Sequence, residues 1–158
     1  MKFLKPFLLS FFLFVGTAHA FDAIEAMGYH KDEVTCLARA IYHETRGEPH
    51  VGKLGIAKVA LNRAKHPEFP GSVCDVIRQP KAFPWYRNLK TPYSSKEYQA
   101  ALSLAVEIYV KEQIGIKWAP KISENALFFN TVPFQYKRLR YSGKLGAHLF
   151  YNMEPRRT

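Results

Sequence analysis

The stretch YHETRGEPH, residues 42–50, decides how this chain folds and what chemistry it can carry. It holds a His-Glu pair, His43-Glu44, and a second histidine, His50. A zincin site needs H-E-x-x-H, with both imidazoles on one helical face and the glutamate beside the first as base. The position four after His43 is Gly47, and Pro49 stops any helix before His50 can share that face. The spacing therefore predicts no metal centre, and no cofactor is expected. What remains is a carboxylate, Glu44, at the end of a predicted helix, flanked by Arg46 and by a second carboxylate, Glu48.

Upstream, Asp32 is the predicted N-cap of a helix running to about Thr45. Val34, Leu37, Ala38, Ile41 and Thr45 recur at the i, i+3, i+4, i+7 spacing of one buried face. At roughly 100° per residue, Glu44 falls about 20° from Leu37, at the margin of that face. It is expected to be half-buried, with Arg39 and Arg46 pointing away.

Downstream, Pro49 suits the first turn of a second helix carrying Leu54, Ala57, Leu61 and Ala64 and ending before His66-Pro67. A short helical piece is predicted around Val73 to Arg78, followed by the aromatic loop QPKAFPWYRN, residues 79–88. Ser94 and Glu97 form a capping-box pattern for a third long helix through about Glu112, closed by Gly115. ALFFNT (126–131) and AHLFYN (147–152) are short, aromatic and strand-like, and are expected to pair with a hairpin near Ser142-Gly143. The class is α+β, with helices first and a small antiparallel sheet last.

The first twenty residues begin with Lys2 and Lys5, continue through an apolar run and end in an A-x-A pattern at Ala18 and Ala20. They read as a signal peptide (1–20) ahead of a single domain, residues 21–158. The apolar run is short for a bilayer, which takes about 20 residues, so no stable membrane span is expected after cleavage; an uncleaved N-terminal anchor is the alternative. The protein is expected at the cell wall, periplasmic or extracellular, and monomeric. Export also favours a bond between Cys36 and Cys74, the only two cysteines; two separate buried thiols are the alternative. A formal charge of +10 suits anionic partners. Behind a signal peptide those are wall polymers or lipid headgroups rather than nucleic acid.

A carboxyl beside apolar surface resists ionisation and can donate a proton near neutral pH. Glycosidases usually add a second carboxylate, about 5 to 9.5 Å away. Glu48 is the nearest in sequence, and its alternative role is to favour the start of the following helix through its charge. A single acid suffices where the substrate supplies its own nucleophile, as muramic acid can through its 6-hydroxyl. Candidate sugar contacts are Gln79, Phe83, Trp85 and Tyr86 in the loop, Asn130, His148 and Tyr151 on the strands, and Glu48, with ordinary packing the alternative for Phe83, Trp85 and Tyr86 and a hydrogen-bonded structural role the alternative for Asn130 and His148. Trp118, Phe128 and Phe150 read as core.

LARAIYHETRGEPHVGKLGIAKVALNR (37–63), FPGSVCDVIRQPKAF (69–83), ALFFNT and KLGAHLFYN together resemble the SleB-type cell wall hydrolase family, typified by spore cortex-lytic enzymes. The resemblance covers roughly residues 32–152. It implies a lysozyme-like or lytic-transglycosylase-like fold, peptidoglycan glycan strands as substrate, and cleavage between N-acetylmuramic acid and N-acetylglucosamine. The family's catalytic glutamate maps onto Glu44. Family members commonly carry Gln-Phe-Ser where this chain has Ala82-Phe83-Pro84, which removes polar groups from the expected groove. A lytic transglycosylase is the leading expectation. A muramidase using a second carboxylate and a non-catalytic wall-binding module are the alternatives.

Overall fold

The computed structural model describes residues 31–80 and 82–155; the predicted signal peptide lies outside them. The elements in chain order are α1 (Lys31–Glu44), α2 (His50–Lys65), α3 (Val73–Arg78), α4 (Trp85–Asn88), α5 (Lys96–Gln113), a 3-10 turn (Lys121–Ser123), β1 (Phe128–Asn130), β2 (Leu139–Leu145) and β3 (His148–Met153). The expected α+β order is present. Among the described residues no helix is long and apolar enough to cross a membrane.

α1 is the axis of the helical core. Val34, Leu37, Ala38, Ala40 and Ile41 are fully buried, and the helix packs against α5, α2 and α3. The helix stops at Glu44, and Gly47 (φ 77°) reverses the chain with the Glu48 amide donating to the Thr45 carbonyl. His43 and His50 therefore sit on different helices.

α2 stands between two apolar layers. Ala57, Ala60 and Leu61 face the helical core, while Ile56 and Val59 join Ala126 and Phe150 beneath the sheet. Its sheet-facing side needs glycine at one point: a Cβ on Gly55 would lie 2.6 Å from Phe150 Cζ. At its end, Asn62 Nδ2 donates to the carbonyls of Ser123, Glu124 and Ala126. These bonds absorb the backbone acceptors that the turn into β1 would otherwise leave buried and unpaired.

The sheet runs β1-β3-β2, with both pairings antiparallel. The expected pairing of 126–131 with 147–152 appears as Phe129 opposite Phe150. Two expectations need correction. The hairpin turn is at Gly146-Ala147, with Gly146 at φ 57°. Ser142-Gly143 lies inside β2, at an irregularity in its register where Ile122 packs against Gly143. The cap of α5 is Ser95, which accepts from the Tyr98 amide, rather than Ser94. Ser94 is taken up in a turn that the Ser95 amide closes on the Pro92 carbonyl.

Two links tie the elements together. Cys36 and Cys74 form a disulfide joining α1 to α3. Cys36 is buried against the core rather than turned out from it. Beside the bond, the Glu33 carboxylate accepts from the Val73 and Cys74 amides at 2.6 and 3.3 Å.

The second link is Glu48, which makes no capping hydrogen bond to α2, whose N-cap is Pro49, although its carboxylate stands beside Gly52 in the first turn of that helix, where its charge is favourable. Its carboxylate accepts from the Ala147 amide at 3.0 Å and lies 3.6 Å from His148 Nδ1. The α1–α2 turn is thereby fastened to the hairpin turn. A Cβ on Gly146 would fall 1.8 Å from Glu48 Oε2, and a left-handed backbone costs other residues about 1–2 kcal/mol. Gly146→Ala is expected to lower unfolding stability by about 2 kcal/mol or more, read as a fall in the urea midpoint. A parental midpoint would mean that Glu48 moves aside without loss.

Candidate functional site

Glu44 is the last residue of α1, and its side chain emerges half-buried at the edge of the core, as its angular position predicts. Its Oε1 accepts a 2.7 Å hydrogen bond from the Trp85 indole Nε1. Burial pushes its pKa above the usual carboxylate value, against the opposing pull of the Trp85 N–H and of the Arg63 charge. The negative end of the α1 dipole works in the same direction as burial. The result is a carboxyl that keeps its proton to higher pH than a free glutamate, with a donor ready to meet the carboxylate when the proton leaves.

Arg63, the last residue of the 37–63 stretch that carries the resemblance, was not among the site residues selected from the sequence. It is 6 % exposed, in the last turn of α2. Its Nε donates to the Leu127 carbonyl at 2.6 Å, and its guanidinium lies 5.2 to 5.7 Å from the ring centres of Phe128, Phe69 and Phe83. Burial lowers its pKa to about 10, with the Glu44 charge partly restoring it. A guanidinium with that pKa keeps its charge at neutral pH, and the surrounding rings supply partners for a cation removed from water.

From Arg63 a groove of about 530 Å³ opens along the sheet, lined in part by Gln79, Ala82, Phe128, Phe134, Tyr136 and Arg138. Glu44 does not line it; the two are joined through Arg63. The walls combine aromatic faces with a few polar groups, a mixture that suits flat, hydroxyl-bearing ligands. Arg138 spans the rim to Glu68 through a two-pronged pair at 2.9 and 3.3 Å.

The sequence-selected residues divide sharply by position. Gln79 lines the groove. Phe83, expected to face ligand, is 2 % exposed and packs against Trp85 and Phe129 in the core. Trp85 is also buried, and its polar edge serves Glu44 instead of forming an open platform. Tyr86 is partly exposed, accepts from Arg78 Nε at 3.1 Å and lies under the Arg39 guanidinium. Asn130 Oδ1 accepts from the Thr131 amide. His148 is buried between Glu48 and Phe129, and burial lowers its pKa against the pull of Glu48. Tyr151 is buried, with its hydroxyl accepting from the Phe134 amide at 3.2 Å. Glu48 is committed to the hairpin, away from solvent.

Arg63, Phe134, Tyr136 and Arg138 went unselected in the sequence, and Phe128, expected in the core, is half-buried and lines the groove. The one available signal was Arg63 itself, a charged residue standing three and seven positions after Ala60 and Ile56 on a buried helix face.

The sequence pattern of the cell wall hydrolase family matches residues 47–151, a span that opens three residues after Glu44. The spore cortex-lytic enzyme of Bacillus subtilis is 48% identical over 65 residues, 39% of this chain and 21% of that protein. That of Halalkalibacterium halodurans is 46% identical over 56 residues, 35% of this chain and 17% of that protein. The matched segment thus spans about a fifth of the length of these relatives. Among solved structures, the catalytic domain of the Bacillus cereus SleB protein aligns with a TM-score of 0.59 at 29% identity, covering 79% of this chain and 93% of that domain. The catalytic domain of the germination-specific lytic transglycosylase SleB from Bacillus anthracis aligns with a TM-score of 0.60 at 28% identity, covering 79% and 98%. The chain belongs to the cell wall hydrolase family.

Proposed function

We propose that this chain is an exported, monomeric peptidoglycan glycosidase, a single domain behind a cleaved signal peptide, acting as a lytic transglycosylase with Glu44 as its acid and then its base. The observation that carries this reading is the setting of Glu44: a half-buried carboxyl with a raised pKa, an indole donor and a buried guanidinium nearby. The SleB relatives' names and the groove beside Arg63 support the substrate class.

In the proposed reaction the protonated Glu44 donates to the glycosidic oxygen between N-acetylmuramic acid and N-acetylglucosamine, and the bond from that oxygen to the muramic C1 breaks. The Glu44 carboxylate then takes the proton of the muramic 6-hydroxyl as that oxygen attacks C1. The ring closes as a 1,6-anhydro product, the N-acetylglucosamine leaves with a free 4-hydroxyl, and Glu44 ends protonated. No water is consumed. Glu48 has its carboxylate engaged by the Ala147 amide, which favours this single-carboxyl route over one needing a second base.

Mass spectrometry of fragments released from purified sacculi tests the proposal. Products ending in 1,6-anhydromuramic acid are expected. Reducing-end products would replace the transglycosylase with a muramidase, and binding to sacculi without release would leave a wall-binding module.

A further inference from the structure

Trp85 is held by more than its packing. Its ring stacks on the His43 imidazole, with centroids 4.4 Å apart and planes 18° from parallel, and the Arg39 guanidinium lies 5.5 Å from its centre. His43 and Arg39 are one turn apart on α1, and both reach the same atom: Thr91 Oγ1 accepts from Arg39 Nε at 3.1 Å and pairs with His43 Nε2 at 2.9 Å. Thr91 lies three residues past α4, so this hydroxyl ties the segment that follows the aromatic loop to the helix that ends in Glu44.

From this geometry we infer that Trp85 is a positioning residue for the Glu44 carboxyl, and that Thr91 fixes the indole in place through Arg39 and His43. The inference rests on the glycosidase reading only for its effect on rate; the hydrogen bond itself is independent of it.

The chemistry follows from the bond's direction. An N–H donor favours a carboxylate over a carboxylic acid, so the indole stabilises Glu44 at the moment its proton has gone to the leaving oxygen. It also holds Oε1 in one place, leaving Oε2 as the oxygen that carries the proton. Charged and titratable groups face this pair from each neighbouring element: Arg63 on α2, His43 and Arg39 on α1, and Tyr86 on α4. His43 does not add a charge near neutral pH, because burial, then Arg39 and Arg46, hold its pKa down to about 4. A neutral imidazole stacks on the indole without competing for Glu44.

The test is a carbon-13 titration of the glutamate carboxyls in the intact protein, with the Glu44 signal assigned by its loss in Glu44→Gln. Trp85→Phe keeps an aromatic side chain at this buried position, though a smaller one, and deletes the N–H. It is expected to move the Glu44 midpoint upward and to lower kcat on sacculi by about tenfold or more, with KM within about twofold. Thr91→Val, a change at a partly exposed loop residue, is expected to move both in the same direction by less, and Thr91→Ser to restore them. A parental midpoint in Trp85→Phe overturns the positioning role, and a parental midpoint in Thr91→Val overturns the part assigned to Thr91. The titration needs no substrate, so a protein that cleaves no glycan would sink the glycosidase reading while leaving this result to be read. A moved midpoint with unchanged kcat in an active enzyme also overturns the proposal.

Discussion

Glu44→Gln is expected to lower glycan cleavage by about a thousandfold or more, within the range that a positioned acid-base group supplies, while the fold persists. Glutamine has nearly the same shape, and its amide oxygen can still accept the Trp85 indole N–H. The helix end, the indole stack and the groove walls should therefore stay where they are. Only the proton is lost, and with it both the donation to the leaving oxygen and the later removal of the 6-hydroxyl proton. Release of soluble fragments from sacculi, followed alongside the far-ultraviolet circular dichroism spectrum, separates a dead enzyme from an unfolded one. A folded variant that still clears sacculi within tenfold of the parent rate would remove Glu44 from the mechanism.

Cutting the disulfide is expected to have the largest effect on stability. Cys36 and Cys74 are separated by 38 positions, and closing a loop of that size restricts the unfolded chain by about 4 kcal/mol. For a domain of this length that corresponds to a fall in Tm on the order of 15 °C. The double variant Cys36→Ala, Cys74→Ala reads this out without a reductant. Both positions are buried, and alanine fills them without adding a polar group. The native contacts across the bond do not depend on it, since Glu33 still accepts from the Val73 and Cys74 amides. The variant should therefore be active when cold and fail on warming. A Tm within about 3 °C of the parent would mean that the unfolded chain is compact without the bond.

How far the fold was legible in the sequence depends on how local each signal is. The buried face of α1 and the place of Glu44 at its margin follow from 3.6-residue periodicity. α3 runs over Val73–Arg78 as predicted, because a capping serine and two bulky apolar pairs leave little choice. β2 was not read. LRYSGKL has one apolar residue at each end, and the strand is recognisable only once β3 offers a partner. The aromatic loop shows the same limit in the site. Its composition announces binding surface, yet Phe83 and Trp85 turn inward, and no pattern within ten residues says which way an indole will face. Arg63 was hidden for the opposite reason: an arginine near a helix C-terminus is ordinarily a solvated charge, and only the arrival of Phe69, Phe83 and Phe128 from three other segments makes it a buried one.

Arginine at that place has a consequence for how the site answers to its surroundings. Among the ionisable side chains around Glu44, burial brings Arg63 down to about 10 and His43 down to about 4. Across the whole interval between them neither one alters. Near neutral pH these two therefore add one fixed positive charge and one neutral ring to the surroundings in which Glu44 gives up its proton.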